Sequence, residues 1–329
     1  EVVVVGGVRR SALISLSNLG DTQMRHAKSG QWWDNEGQRA LANNSVAYRF
    51  KPDMDTFMRE WLALYESKSG ERGIFNRQSA INQAAKNGRR DTSGKGPRLG
   101  KNIEGLLTRL RDVAVKTNKD VASKLGIPQS TAVTTVKPSG TVSQLVDSAS
   151  GIHARHNEHY IRTVRGDNKD PLTKFMMAQG IPHEPDVMKP DSTTVFSFPM
   201  KPPSSAVCRK DMSAIEQLDI WLMYQKHWCE HKPSVTISVK EDEWLEVGSW
   251  EYNNFDDVSG ISFLPFSEHT YKQAPYQDCD KKEYEDTLSI MPKNIDWTKL
   301  SDYEKEDTTK SAQTFACSGD SCEIVDIGA

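Results

Sequence analysis

The stretch that decides the fold reads Thr131-Ala132-Val133-Thr134-Thr135-Val136-Lys137-Pro138-Ser139-Gly140-Thr141-Val142-Ser143-Gln144. Its first six residues are mostly β-branched and predict a strand over Thr131 to Val136. A Pro-Ser-Gly-Thr turn follows, and a helix is predicted from Val142 onward. A strand that runs through a tight turn into a helix is the repeating unit of α/β folds.

The same alternation extends along the rest of the chain. Further strands are predicted at residues 11–17, 43–50, 159–164, 193–198, 234–239 and 260–264. Helices are predicted at 52–70, 103–125, 171–179, 213–229 and 242–253. Residues 86–100 are rich in Gly and Arg and predict a linker or surface loop. Short links between strands and helices indicate an α/β fold with parallel strands, either a sheet or a barrel.

Composition excludes several classes of protein. The chain has 329 residues, 36% hydrophobic and 26% charged, which is enough for one large domain or two. A net charge of −3 gives no basic field for nucleic acid. The longest apolar run, Val2 to Val5, is too short for a membrane span. Its place at the start predicts that the chain is the C-terminal part of a longer protein. Five cysteines, an odd number, argue against a secreted disulfide framework and predict a cytoplasmic location.

The turn after the first predicted strand has the parts of an anion site. Gly140 allows a close backbone approach, Ser139 and Thr141 offer hydroxyl groups, and the N-terminus of the predicted helix from Val142 would face a bound phosphate. The alternative is an ordinary strand-to-helix turn with a capping residue.

A second glycine turn lies near the start, at Gly6-Gly7-Val8-Arg9-Arg10. It combines backbone freedom with two fixed positive charges. It could contact a nucleotide, a phosphate or a subunit boundary, and the alternative is a surface turn.

Cys317 and Cys322 lie near the C-terminus, with four small or polar residues between them. Chain ends are mobile unless they are held, and a mobile dithiol suits electron transfer, because one thiolate attacks a disulfide and its neighbour resolves the mixed species. The alternatives are a metal clip or two idle thiols.

The histidines do not indicate a metal site. His153, His156 and His159 are spaced by three, as on the metal face of a helix, but the strand predicted from His159 argues against a helix here. His227 and His231 flank Cys229 at the end of a predicted packed helix. The lone Cys208 and Cys279 are interpreted as bystanders.

Together, four motifs resemble the adenosylcobalamin-dependent (class II) ribonucleotide reductases, particularly the monomeric ribonucleoside-triphosphate reductase branch. Residues 6–12, with Gly7, Val8, Arg9 and Arg10, resemble the specificity loop that relays effector identity. Residues 66–77 resemble a barrel segment, and residues 137–144, with Pro138 to Val142, resemble the loop that holds substrate phosphates. Cys317 and Cys322 resemble the tail dithiol that re-reduces the active site.

The resemblance implies part of a ten-stranded α/β barrel of the ribonucleotide reductase and glycyl radical enzyme type over residues 1–276, and a flexible arm with the cysteine pair over 277–329. It implies adenosylcobalamin as cofactor, a ribonucleoside triphosphate as substrate, a deoxynucleotide effector and a thioredoxin-type reductant. The chemistry implied is radical reduction of the ribose 2′ position, begun by a cysteine thiyl on a finger loop. Nucleic acid, a membrane and a bound metal are not expected.

The chain departs from the family at that finger loop. The finger-loop cysteine motif is expected just after residue 91, yet residues 92–102 contain no cysteine, and none occurs before Cys208. The radical cysteine, its carboxylate partner and the active-site reducing pair therefore have no matching position. Three explanations remain: a split enzyme whose second chain supplies the missing half of the barrel, a deletion, or a non-catalytic relic that binds nucleotide or a partner.

Overall fold

The computed structural model describes most of the chain. The described residues are 4–5, 8–9, 13–32, 36, 39, 42–86, 103–139, 142–204, 206–266, 273–304, 315–318 and 321–324, with the strands near the two chain ends described by their backbone. They fold into two compact units. We call residues 13–155 and 202–267 the parallel unit, and residues 1–12, 156–201 and 268–329 the antiparallel unit.

The parallel unit contains two parallel sheets. Its strands are β3 (Leu13–Ser17), β4 (Ala42–Tyr48), β5 (Gly73–Asn76), β9 (Thr236–Val239) and β10 (Ser262–Pro265). The sheet orders are β3-β4-β5 and β10-β9, all parallel. Between the sheets, the backbone N–H of Asn76 donates to the carbonyl of Ser259 at 3.2 Å. The parallel strands predicted from the alternation are confirmed in this unit.

The helices of the parallel unit include four close to predicted positions, over residues 54–67, 103–125, 214–227 and 244–253, and two that were not predicted, over residues 22–25 and 77–86. The helices are α1 (Thr22–Arg25), α2 (Met54–Ser67), α3 (Arg77–Lys86), α4 (Ile103–Leu125), α5 (Val142–Leu145), α7 (Ala214–His227) and α8 (Trp244–Asn253). Helix α2 begins where Asp53 accepts from the Thr56 N–H at 2.9 Å, and it ends at Lys68, which has a left-handed φ of 51°. Among the described residues, no helix is long and apolar enough to cross a bilayer.

The core of this unit lies where helices pack on the parallel strands. Fully buried aromatic side chains dominate it, and the largest of them are Trp221, Tyr48, Phe57, Phe255 and Phe263. Burial of such rings is the main source of the unit's stability, at about 25 cal/mol per Å² of apolar surface.

The strand predicted over residues 131–136 is wrong. This segment is extended but joins no ladder, because its carbonyl groups accept from the loop that follows α7. Thr134 O accepts from the N–H of Glu230 at 3.0 Å and of His231 at 3.1 Å, and Val136 O accepts from Ser234 N–H at 2.8 Å. The segment is therefore held by a loop rather than by a sheet.

The helix predicted from Val142 is present but short. Helix α5 is a single turn that ends before Asp147, whose φ of 49° is left-handed. The Ser148 N–H then donates back to Ser143 O at 2.8 Å, which satisfies a carbonyl at the helix end. A one-turn helix has little aligned dipole, so any anion here would depend on individual hydrogen-bond donors.

The antiparallel unit is built on one four-stranded sheet with the order β11-β6-β8-β7. Its strands are β6 (Tyr160–Asp167), β7 (His183–Pro185), β8 (Thr193–Met200) and β11 (Tyr276–Asp278). All of its pairings are antiparallel, with Tyr160 opposite Met200 and Tyr276 opposite Arg162. The expectation of parallel strands is wrong here. After β6, the short helix α6 (Pro171–Ala178) leads to β7, and the chain then reverses between β7 and β8, so that β6 and β7 both pair antiparallel with β8.

Part of the predicted C-terminal arm is folded against this unit. Helix α9 (Lys281–Ile290), a 3₁₀ turn (Trp297–Lys299) and helix α10 (Leu300–Tyr303) follow β11. The ring of Phe175 on α6 lies 5.3 Å from Trp297 and 5.7 Å from Tyr303, measured between centroids. These rings anchor the arm as far as residue 303. The division of the chain at residue 276 stays a prediction.

Candidate functional site

The loop that carries Ser139 is held by its own hydroxyl groups. Ser139 Oγ accepts from the Ser143 N–H at 2.9 Å, which satisfies a free N–H of α5. The Ser139 carbonyl accepts from the hydroxyl groups of Ser143 at 3.3 Å and Ser150 at 2.9 Å. Pro138 and Val142 are exposed on either side. Gly140 and Thr141 lie outside the described residues.

The chain then returns alongside this loop at Gly151. Its φ of 63° is left-handed, and a Cβ here would lie 3.2 Å from the Lys137 carbonyl oxygen. Glycine is therefore required for the two segments to approach. The residues after Gly151 are brought next to the Ser139 loop by this contact.

Arg155 ties the returning segment to a third part of the parallel unit. Its guanidinium, 5% exposed, pairs with Asp147 at 2.8 Å. Its backbone N–H donates to Val207 O at 2.9 Å, and its carbonyl accepts from Arg209 N–H at 2.8 Å. These contacts join the segment between residues 147 and 155 to the chain around Cys208.

His153 is held in one tautomer by its two hydrogen bonds. Thr236 N–H at the start of β9 donates to His153 Nε2 at 3.0 Å, so the ring proton is on Nδ1, which lies 2.7 Å from Ser150 O. His153 is therefore a structural link between this segment and the sheet.

A cavity of about 840 Å³ opens beside these residues, within the parallel unit. Its lining includes Gly151, His153 and Arg155, the four acidic residues Asp147, Asp211, Glu216 and Asp219, and several apolar side chains. Each carboxylate has a partner: Arg155, the Cys208 N–H, the Ser213 N–H and the Trp250 indole, respectively. The Ser213 N–H and hydroxyl hold the pKa of Glu216 below its usual range. Each of the four carboxylates is thus held by a described partner, and Asp147 is paired with a positive charge.

Sequence comparison finds relatives that share one name. Proteins called adenosylcobalamin-dependent ribonucleoside-triphosphate reductase from Euglena gracilis and Lactobacillus leichmannii are 29% and 28% identical, over 64% and 67% of this chain. A probable enzyme of that name from Dictyostelium discoideum is 31% identical over 61% of the chain. No family model matches the chain.

Structure comparison agrees with the sequence comparison. The crystal structure of a B12-dependent (class II) ribonucleotide reductase superposes on 90% of this chain with a TM-score of 0.63 and 18% identity, and the match covers 56% of that protein. At this identity the likeness establishes the fold. Over its matched residues, the chain is similar to reductases of this name, and it has the fold of a class II ribonucleotide reductase.

The relatives are much longer than the matched region. The chain spans 26–30% of the length of these reductases. The resemblance inferred from four short motifs is thereby confirmed, as a partial chain. The activity of a whole reductase does not follow from this fraction of its length.

Part of the predicted specificity loop of this chain lies in a short hairpin. β1 (Val4–Val5) pairs with β2 (Val8–Arg9) in antiparallel register, with Val5 opposite Val8. Gly7 and Arg10 lie outside the described residues. The effector role stays a prediction.

The tail cysteines face each other across a second hairpin. β12 (Phe315–Ser318) pairs with β13 (Ser321–Ile324), and Cys317 is directly opposite Cys322. Opposed residues in an antiparallel ladder have Cα atoms about 4.5–5.5 Å apart, within the range that disulfides span. The backbone therefore suits a reversible dithiol, and the redox role stays a prediction.

The remaining cysteines have environments unlike that of a reactive thiolate. Cys208 and Cys229 are buried, and Cys279 is partly exposed. Burial raises the pKa of Cys229 to about 12, and burial together with nearby carboxylates raises that of Cys279 to about 11. Cys229 and Cys279 are therefore protonated at neutral pH, as structural cysteines are.

The histidines spaced by three each contact a neighbouring side chain or backbone group. His156 Nε2 lies 3.0 Å from an Asp278 carboxylate oxygen, and the His159 ring lies 5.0 Å from that of Tyr284. Within the described part of the chain, no group of three potential ligands is arranged for a metal ion. His227 Nδ1 lies 3.2 Å from Thr108 Oγ1 on α4.

Sequence reasoning missed the residues that support the loop. The Asp147–Arg155 pair and the His153 link lie directly after the predicted motif. Their signal is the run Ser150-Gly151-Ile152-His153, in which the glycine marks a turn back toward the loop.

Proposed function

We propose that this chain is a component of an adenosylcobalamin-dependent ribonucleoside-triphosphate reductase, which reduces ribonucleoside triphosphates to deoxyribonucleotides. The observation that carries the proposal is similarity to reductases of that name over about two thirds of the chain. The Ser139 loop and the opposed register of the tail cysteines are consistent with it.

The substrate is a ribonucleoside triphosphate whose phosphates bind to residues 138–142. Ser139 and Thr141 supply hydroxyl groups, and Gly140 allows the backbone to approach. Ser139 is supported for this role by the hydrogen bonds that Ser143 and Ser150 donate to it, since they fix the loop before any ligand arrives.

The cofactor of the whole enzyme is adenosylcobalamin, which supplies radical initiation when bound. The described residues do not fit that chemistry on their own. The sequence has no cysteine before Cys208, and Cys208 and Cys229 are buried. We therefore assign the cofactor to the part of the enzyme that this chain lacks.

The electrons for each turnover pass through the tail. Reduction of one ribose takes two electrons and two protons, which Cys317 and Cys322 release as their thiols join in a disulfide. A thioredoxin-type reductant then returns two electrons and two protons and restores both thiols.

Two further roles follow from the family. The hairpin around residues 7–10 senses a deoxynucleotide effector. The five parallel strands β3, β4, β5, β9 and β10 form part of the ten-stranded barrel, and a second chain or segment supplies the missing strands and the radical cysteine.

The phosphate assignment predicts weaker nucleotide binding in Ser139→Ala. The dissociation constant for a ribonucleoside triphosphate, measured by calorimetric titration of the full chain, should rise about tenfold, because a hydrogen bond to a charged oxygen is lost. Ser148→Ala, at an exposed serine nearby, is the matched control and should leave the constant unchanged. Adenosine should show no difference between the two variants. Equal affinity of Ser139→Ala and the unmodified chain would remove the assignment.

The tail assignment predicts a stoichiometry that needs no reductase activity. The air-oxidised chain, mixed with thioredoxin, thioredoxin reductase and NADPH, should consume about one NADPH per chain. Cys317→Ser with Cys322→Ser should abolish this consumption. Cys279→Ser, the partly exposed control, should retain it. Full consumption by the double variant would show that the tail is not the electron carrier.

A second function is favoured by the cysteine positions. Since the first cysteine is residue 208, the chain alone could be a non-catalytic module that binds nucleotide or a partner. Addition of adenosylcobalamin, a nucleoside triphosphate and a dithiol distinguishes the two. A cob(II)alamin spectrum from the chain alone would mean that it carries its own radical site, and its appearance only with a second polypeptide would mean a split enzyme.

A further inference from the structure

Lys232 occupies an unusual position for a lysine. It follows α7 in the loop that holds residues 134–136, and its ammonium donates to the Gly260 carbonyl at 3.2 Å. Glycine at 260 permits this approach, because a Cβ there would lie 3.1 Å from Lys232 Nζ. The side chain is partly buried at the edge where β10 begins.

The charge of Lys232 has no acidic counterpart among the described residues. No described carboxylate lies within ion-pair distance of its ammonium, and its one described acceptor is the Gly260 carbonyl. Burial lowers the pKa of Lys232, and the positive charge of Lys137 lowers it further. A partly buried ammonium with a positive charge in its neighbourhood is stabilised when an anion binds to it.

Hydrogen bonds between the two loops keep these lysines together. The Thr135 hydroxyl donates to the Lys232 carbonyl at 3.2 Å, and Ser234 N–H donates to Val136 O at 2.8 Å. Lys137 comes next in the chain and precedes Pro138 and Ser139. The backbones that carry the two lysines are thus held together at the start of the loop to which substrate phosphates were assigned, and the Lys137 side chain is exposed there.

We propose that Lys232, together with Lys137, binds the phosphate chain of the nucleoside triphosphate and provides the positive charge that the Ser139 loop lacks. This assignment rests on the function proposed above and adds a binding residue about ninety positions from the loop. Residues 138–142 contain no basic side chain, so their hydroxyl and N–H groups leave the phosphate charge uncompensated. Lys232 and Lys137 compensate it, and the anion in turn relieves the repulsion between them.

The test uses inorganic triphosphate as a probe, because it has no base or sugar. Calorimetric titration of the full chain should show binding that Lys232→Met weakens by about 10- to 100-fold, the effect of losing a charge-assisted hydrogen bond. Lys116→Met makes the same change in net charge at an exposed position on α4 and should leave the affinity unchanged. An equal loss in both variants, no loss in Lys232→Met, or no binding by the unmodified chain would each overturn the site.

A measurement on the unmodified chain guards against a variant that does not fold. Acetylation of each lysine by acetic anhydride, followed by mass spectrometry, should slow at least severalfold at Lys232 when triphosphate is added, and not at Lys116. Equal rates at Lys232 with and without triphosphate would overturn the proposal.

Comparison of the two variants also distinguishes a failure of the lysine assignment from a failure of the Ser139 assignment. If Ser139→Ala weakens triphosphate binding and Lys232→Met does not, the Ser139 loop keeps its role and the lysine assignment fails. If only Lys232→Met weakens it, the lysines bind the anion and the Ser139 assignment fails.

Discussion

Replacement of Glu60 by Ala should destabilise the parallel unit by about 3–5 kcal/mol, the usual effect of stranding buried charges. Glu60 is on α2 and is 4% exposed. Its carboxylate accepts from Arg72 at 2.9 and 3.0 Å and from Arg25 at 2.8 Å. Loss of the carboxylate leaves two guanidinium groups close together, and Arg72 is 1% exposed.

The geometry indicates why Arg72 cannot escape to solvent. Its other terminal nitrogen donates to Ser17 Oγ at 2.8 Å and to the carbonyls of Asn18 at 3.1 Å and Asp21 at 3.2 Å. These contacts join the end of β3 and the start of α1 to the residue before β5. Arg72 therefore stays in place and unpaired when Glu60 is removed.

Urea unfolding followed by tryptophan fluorescence measures this loss, since Trp61 and Trp221 lie in the same core. Glu66→Ala, an exposed glutamate on the same helix, is the matched control and should change the free energy of unfolding by less than about 0.5 kcal/mol. A shift of under about 1 kcal/mol in Glu60→Ala would mean that water or rearrangement compensates the two arginines.

The second large effect concerns the pH dependence of stability. Glu251→Gln should remove a decrease in the free energy of unfolding that occurs as pH rises. Glu251 is on α8, is 0% exposed, and neither carboxylate oxygen has a described hydrogen-bond partner. Burial raises its pKa from 4.5 to about 8. Between these values the folded chain holds a proton that the unfolded chain has released, so this residue makes stability fall as pH rises.

The expected slope is about 1.4 kcal/mol per pH unit inside that window, or on the order of 4 kcal/mol between pH 5 and pH 8. Glu251→Gln keeps the shape and cannot ionise. The free energy of unfolding of the Glu251→Gln variant, minus that of the unmodified chain, should therefore increase from pH 5 to pH 8. Glu246→Gln, an exposed position on the same helix, should show no such change. Parallel pH profiles for Glu251→Gln and the unmodified chain would mean that Glu251 titrates normally.

Local signals were enough to predict most helices and strands. Asp53 and Gly126 mark helix ends by capping and by a left-handed φ, and α4 runs from Ile103 to Leu125 as predicted. The strand prediction over residues 131–136 was wrong because β-branched side chains favour an extended backbone, whereas a strand also needs a neighbouring strand with free hydrogen-bonding positions. The antiparallel sheet could not be foreseen, because strand direction depends on how distant segments pair.

The candidate site was predictable only in part. The Ser139 turn and the tail cysteines have short sequence signatures, and family resemblance could be inferred from them. Arg155 and Lys232 have none, because their roles come from contacts with Asp147 and Gly260 that only the fold creates. Long-range electrostatic partners of this kind require the three-dimensional arrangement.

The pairing of β11 with β6 constrains when the molecule can finish folding. Arg162 donates to the carbonyl of Pro275, 113 positions further along the chain. Closing so long a loop delays the pairing, and during synthesis β6 leaves the ribosome well before β11 exists. A nascent chain arrested ahead of residue 276 would thus present the outer edge of β6 to chaperones or to neighbouring chains. Efficient biogenesis then depends on translating this last stretch promptly.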